Sequence, residues 1–263
     1  FRRVLFRSNT PRLYSGLTSE ASQKAKSFYA NFCSELIEVS TPEVAEAAKL
    51  FENTFRQVNI ALVNEFAQIS HALNIPVREV LDAASTKPYG FMKFNPSAGV
   101  GGHCIPVDPS YLAQVATEHG VRANFIELAN DVNLQMGTYV VNRIKSDNGG
   151  SLKGKAVQII GVAYKPNVAD VRETPAEQII EALRREEARV CTAGQGDERA
   201  GTAIRDKVDL GCRGEAVPDL VADIDHRRGR GLRQAHGPGG LLHSYRSEEH
   251  TSELQSHLNL VCR

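Results

Sequence analysis

Between Ser40 and Leu73 apolar side chains return every three or four positions, at Phe51, Phe55, Val58, Leu62, Phe66, Ile69 and Leu73. That spacing gathers them on one side of a 3.6-residue turn, so the stretch reads as a single α-helix of roughly thirty residues, long beside the ~11-residue mean of globular proteins. Ser40-Thr41-Pro42-Glu43 supplies its start: a cap hydroxyl, a proline near the first helical position and a capping-box glutamate. Shorter helices are expected after Pro76 and after Pro109, the latter closing at Gly120, and another from about Ala123 to Ile144. A chain built around so long a helix has a mostly helical middle domain.

Past Ser151 the pattern changes. Lys155 to Val162, KAVQIIGV, is a short apolar run with no helical face, and Thr174-Pro175-Ala176-Glu177 repeats the capping signature before Ile179, Ile180 and Leu183. Ala188 to Cys191, ARVC, then reads as a second strand, which makes strand, helix and strand the first half of a parallel α/β unit. From Thr192 onward no aromatic residue of the Phe, Trp or Tyr type occurs before Tyr245, glycine and arginine dominate, and Lys207 is the only lysine. No period survives there. The segment reads either as a disordered Arg/Gly tail or, the preferred reading, as an out-of-frame translation of GC-rich DNA. The ends FRRVLFRS and RSEEHTSELQSHLNLVCR resemble translated adapter sequence and are set aside from fold reasoning.

With 263 residues and 41% apolar content the chain can bury a sizeable core. Its 31 basic and 31 acidic residues cancel, so no overall charge argues for a nucleic-acid or membrane-surface partner. No run approaches the ~20 apolar residues of a membrane span, and the expected location is the cytosol. Five cysteines, Cys33, Cys104, Cys191, Cys212 and Cys262, are odd in number and scattered. They form neither a disulfide framework nor a metal-binding C-x-x-C pattern, so each is expected to be a free thiol and no metal is expected.

One of these thiols stands in unusual company. In GVGGHCIPVDP, Gly99, Gly101 and Gly102 precede Cys104, leaving backbone amides unshielded and permitting positive φ, which suits close approach to a phosphate or a nicotinamide. The bland alternative is a tight turn with an inert thiol. Asp108, before Pro109, reads as the N-cap of the next helix and can have a second role. Lys49 and Asn53 lie four apart on one face of the long helix, where solvated surface is the simpler reading.

Three segments in order, AAKLFENTFRQVNIALVNEFA (Ala47 to Ala67), STKPYGFMKFNPSAGVGGHCIPVDPSYL (Ser85 to Leu112) and GVAYKPNVADVRETPA (Gly161 to Ala176), resemble the UDP-glucose/GDP-mannose dehydrogenase family. Within it GGHCIPVDP and TKPYGFM look most like the UDP-N-acetylglucosamine 6-dehydrogenases, with UDP-N-acetylmannosamine dehydrogenases next. The resemblance covers about Asn9 to Cys191. It implies an α/β chain of four parts: residues 9–40, the remnant of an N-terminal Rossmann domain that binds NAD; residues 41–150, a long central helix and helical dimerisation domain with the cysteine loop; residues 151–191, the start of a truncated, Rossmann-like UDP-binding domain; and residues 192–263, non-native or disordered.

It further implies that a sugar C6 alcohol is oxidised to a carboxylate in two hydride transfers to NAD, with Cys104 as the nucleophile that holds a thiohemiacetal and then a thioester. Lys49 and Asn53 match the family's lysine and asparagine at the oxyanion and the hydrolytic water, and Asp108 matches the aspartate of proton transfer. Gly99 and Gly101 fall on the loop against the nucleotide sugar, Tyr164 and Lys165 match a pair that meets the UDP-sugar substrate, and Arg172 matches an arginine that reaches the cofactor. Ser97-Ala98-Gly99 stands where the family usually has Gly-Pro-Gly, a departure that bears on substrate closure. No G-x-G-x-x-G occurs in the chain, so the expectation is an incomplete piece of such an enzyme, unable to turn over. Two other readings stand beside this one. A cysteine hydrolase or acyltransferase would pair Cys104 with His71 or His119, His103 being adjacent and badly aimed, and a non-catalytic helical module would form a homodimer through the long central helix.

Overall fold

The computed structural model describes residues 10–160, 162–163 and 171–193, with the backbone of 259–262. Tyr164, Lys165 and most of the stretch from Thr192 lie outside the described residues. The chain divides within its long helix, after Phe55, into two compact units.

In the first unit, β1 (Arg12–Tyr14) and β2 (Leu36–Glu38) pair in parallel, Arg12 opposite Leu36 and Tyr14 opposite Glu38, with α1 (Ser19–Tyr29) as the crossover. Thr18 caps α1 by accepting from the Ala21 N–H at 3.2 Å. Gly16 is demanded by packing, since a Cβ there would stand 2.4 Å from the Ser22 nitrogen.

The long helix α2 runs Pro42–Ala72. Its cap is Thr41, whose Oγ1 accepts from the Val44 N–H at 3.4 Å, so Pro42 is the first helical residue and Glu43 the second, one position short of the capping-box site. Glu43 is used differently: the Thr41 hydroxyl beside it holds its carboxyl below the usual range, helped by the helix's own N–H. The stripe that reveals the helix is not the side that is covered. Phe51, Leu62 and Leu73 are 67, 62 and 63% exposed, while Asn53, Gln57, Ile60, Val63, Asn64, Ala67 and Ser70 are buried.

In the second unit, α2 packs through Ile60, Val63 and Ala67 against Val77 and Leu81 of α3 (Val77–Ala84), with Phe94 and Ile105 from the following loop. Then come α4 (Asp108–Glu118) and α5 (Asn124–Asp147). The second core is larger. Val140, Val141 and Ile144 of α5 meet Val157 and Ile159 of β3 (Ala156–Ile160) and Ala176, Ile179, Ile180 and Leu183 of α6 (Pro175–Arg185). Ile179 and Leu183 are fully covered, each supplying about 2 kcal/mol by removal from water. β3 pairs in parallel with β4 (Arg189–Ala193), as the strand–helix–strand reading requires.

Three expectations need correction. Cys191 is disulfide-bonded and not a free thiol. Asp108 is the first residue of α4 and Val107 occupies the cap, with no side-chain cap bond. The terminal stretch set aside as adapter-derived does add a strand, β5 (Asn259–Cys262), antiparallel to β3 with Val157 opposite Cys262. The free edge of β3 offers unpaired N–H and C=O groups, and an extended Asn-Leu-Val-Cys segment satisfies them. Among the described residues no helix is long and apolar enough to cross a membrane.

Candidate active site

The loop from Phe94 to Val107 has no regular hydrogen-bond ladder, yet Pro96, Ser97, Ala98, Gly99 and Gly102 are buried. Buried backbone without a ladder needs other partners. The Ser97 N–H donates to Asn64 Oδ1 at 2.7 Å, the Ser97 hydroxyl donates to the Gly99 carbonyl at 2.8 Å, and the Gly102 N–H donates to the Glu173 carbonyl at 3.2 Å. Apolar anchors act beside them: Ala98 enters the core of β3 and α6, while Val100 and Ile105 enter that of α2 and α3. Cys104 is thereby held on a fixed loop with its side chain exposed, in contrast to Cys33, which is buried. On its far side the Asp108 N–H donates to the Cys104 carbonyl at 2.9 Å, so the loop passes directly into α4.

Gly99 has φ +136°, a region L side chains avoid, and a Cβ there would lie 3.1 Å from Pro175 Cβ and 3.4 Å from the Asn133 carbonyl oxygen. Its bareness thus serves the packing of the loop against the start of α6. Gly101 is half-buried, and Gly102 has φ +91° with its amide committed to Glu173. Glu173 itself holds φ +50°, uncommon for a residue with a side chain. Thr174 locks this turn: buried, it donates its hydroxyl to the Val162 carbonyl at 2.7 Å and accepts from the Ala176 N–H at 3.3 Å as the cap of α6. Arg172, the expected cofactor contact, is exposed one residue before Glu173.

A cavity of about 230 Å³ lies beside the loop, between Gly99, Val100 and Pro106 on one side and Asn133, Thr174 and Gln178 on the other. Gln57 also lines it, with a buried Oε1 that has no hydrogen-bond partner among the described residues. In the other unit, Asn53 is 1% exposed, and Lys49 is exposed and paired with Glu52 at 3.3 Å. The candidate bases of the hydrolase reading are engaged elsewhere: His71 Nδ1 lies 3.2 Å from the Tyr139 hydroxyl, and His119 Nδ1 lies 2.9 Å from the Val115 carbonyl of its own helix. Among the described residues no histidine is hydrogen-bonded to Cys104, and that reading is not favoured.

Sequence reasoning located the thiol and its glycines, and marked Ser97 only as a departure from the family's loop, but missed Asn64 and Asn133. The one available signal was an asparagine, Asn64, falling in line with Ile60, Val63 and Ala67, where an apolar residue is the default.

Comparison with known proteins gives one answer along the chain. Residues 43–135 match the central domain of the UDP-glucose/GDP-mannose dehydrogenase family, and residues 158–194 match that family's UDP binding domain. The UDP-N-acetyl-D-mannosamine dehydrogenase of Methanococcus vannielii is 35% identical over 182 residues, covering 69% of this chain and 42% of the relative. Protein CapL of Staphylococcus aureus is 38% identical over 177 residues, 66% of this chain and 41% of the relative. Among solved structures, the UDP-N-acetyl-mannosamine dehydrogenase Cap5O from S. aureus superposes with a TM-score of 0.61 at 35% identity, over 75% of this chain and 45% of that one. The chain thus spans about two-fifths of the length of the curated relatives it matches.

Proposed function

Since the chain belongs to the UDP-glucose/GDP-mannose dehydrogenase family, with its central domain and UDP binding domain in order, we propose that Cys104 is the covalent centre of an NAD-dependent nucleotide-sugar 6-dehydrogenase. The observation that carries this reading is an exposed thiol on a loop fixed at Ser97, Gly99 and Gly102. The substrate is a UDP-N-acetylhexosamine, with N-acetylmannosamine and N-acetylglucosamine as the sugars to try, and the product is a uronate of the kind used in surface polysaccharides.

The residues fit NAD at one point: Arg172 offers an exposed cation for a diphosphate, one residue from the Glu173 carbonyl that holds the nucleophile's loop. When bound, NAD supplies the hydride acceptor for each of the two oxidations. The chain's own residues do the rest. The Cys104 thiolate adds to the C6 aldehyde, forming a C–S bond and an oxyanion, and thereby turns a hydride acceptor back into a hydride donor. Lys49 contributes a cation and Asn53 an amide donor to that oxyanion, and loss of hydride from C6 leaves a thioester. Asp108 takes a proton from the water that attacks it, and C–S cleavage gives the carboxylate and restores the thiol. Tyr164 and Lys165 are assigned to the UDP-sugar, with Gly99 and Gly101 on the loop beside it.

The test uses the C6 aldehyde of either UDP-hexosamine as a mask. It should protect Cys104, and not Cys33, from iodoacetamide, read by peptide mass; equal alkylation of Cys104 with and without saturating aldehyde overturns the reading. A second proposal concerns assembly. The exposed stripe of Phe51, Phe55, Leu62, Ile69 and Leu73 is the kind of apolar face that a subunit contact covers, and we assign the homodimer to it.

A further inference from the structure

Asn64 is completely buried in the middle of α2, on the face that otherwise carries Ile60, Val63 and Ala67. An amide in such a place is costly unless every polar atom is used, and a leucine would pack there at no such cost. Asn64 is used on both sides. Its Oδ1 accepts the Ser97 N–H at 2.7 Å, and its Nδ2 donates to Asn133 Oδ1 at 3.0 Å. Asn133, 5% exposed on α5, in turn donates its Nδ2 to the Gln57 carbonyl at 3.3 Å, back on α2. The amide plane of Asn64 is therefore set by α5, and it presents a directed acceptor to the loop. Nothing in the packing of α2 on α3 calls for this; what it fixes is the main chain of Ser97.

From Ser97 the restraint runs toward the thiol. The Ser97 hydroxyl holds the Gly99 carbonyl, and Gly99 is wedged against Pro175 and the carbonyl of Asn133, the residue that also orients Asn64. Three residues on, the Gly102 amide is tied to Glu173, and two residues beyond that stands Cys104. A loop with seven buried positions between Phe94 and Val107 and a positive-φ glycine at its bend has few ways to relax at one point only, so the register set at Ser97 is transmitted to the sulfur.

We propose that Asn64 is a positioning residue for the Cys104 loop, acting through the Ser97 main chain with its amide oriented by Asn133. The proposal rests on the reading of Cys104 as the nucleophile only for its consequence in catalysis; the mechanical claim concerns the loop itself.

The experiment is hydrogen–deuterium exchange on the full 263-residue chain, read on peptides covering 97–104 and on α6 peptides as control, together with the rate of Cys104 alkylation by iodoacetamide. Asn64→Leu keeps the buried volume and leaves the Ser97 N–H without an acceptor. Exchange over 97–104 should rise about tenfold or more, the factor expected when a buried main-chain donor loses its partner, with α6 unchanged and the Cys104 alkylation rate shifted at least about threefold. Native exchange over 97–104 in Asn64→Leu, or a uniform acceleration of all peptides, overturns the proposal. Should Asn64→Leu fail to fold, Asn133→Leu carries the test: it removes the amide that orients Asn64, together with its bond to the Gln57 carbonyl, and leaves the Asn64 oxygen in place; several-fold faster loop exchange is expected, and no change refutes it. If native Cys104 is not masked by the UDP-sugar aldehyde while Asn64→Leu still loosens the loop, the proposed reaction falls and the positioning role stands.

Discussion

Two cysteines within the described residues keep a reduced thiol, and their surroundings set their reactivity apart. Cys33 is 7% exposed and Cys104 is open, so iodoacetamide at neutral pH should label the Cys104 peptide at least tenfold faster, a difference read by peptide mass mapping. At Gly99 the prediction is one of stability. Gly99→Ala adds a methyl at φ +136° and 3.1 Å from Pro175, and should lower the unfolding free energy by about 1–3 kcal/mol in urea titration. The glycines and the thiol were visible in the sequence because they are contiguous. The partners that hold them were not: Asn64 and Ser97 are 33 residues apart, Asn64 and Asn133 are 69 apart, and no local pattern joins residues at such separations.

At the scale of elements, α6 depends on its cap. Thr174→Ala removes the hydroxyl that accepts from the Ala176 N–H and that donates to the buried Val162 carbonyl, so about 1–2 kcal/mol should be lost in thermal or urea unfolding followed by circular dichroism. A second element responds to acid. Asp82, on α3, is bonded to Lys93, and that hydrogen bond with the Lys93 charge holds its carboxyl below the usual range, Arg78 adding to the effect. A carboxyl whose folded value is lowered contributes stability above its unfolded value, near 4, and loses it as pH falls through the lower folded value. Asp82→Asn should therefore flatten the acid limb of the stability profile and leave its neutral-to-alkaline part parallel to that of the native chain. The elements themselves were largely legible, since α2, α4, α5, α6, β3 and β4 all lie where period and caps placed them, to within a few residues. What the period could not disclose was which side of α2 is inside, because a stripe of phenylalanine and leucine marks a helix equally well whether or not the rest of the chain packs on it. The pairing of β5 was likewise hidden, since it joins residues distant in sequence, and nothing local marks Cys191 as disulfide-bonded.

For the whole molecule, the property to measure is assembly. The outward stripe on α2 has a thermodynamic corollary. If a twin chain is what seals those phenylalanines and leucines from water, folding and pairing share one equilibrium, and the melting midpoint belongs to a concentration as much as to a sequence. Diluting the sample a hundredfold should shift the midpoint downward by several degrees, and planting a glutamate at Leu62 should abolish that drift by leaving a lone chain at every dilution. Heat resistance in this protein would then be a property of two molecules.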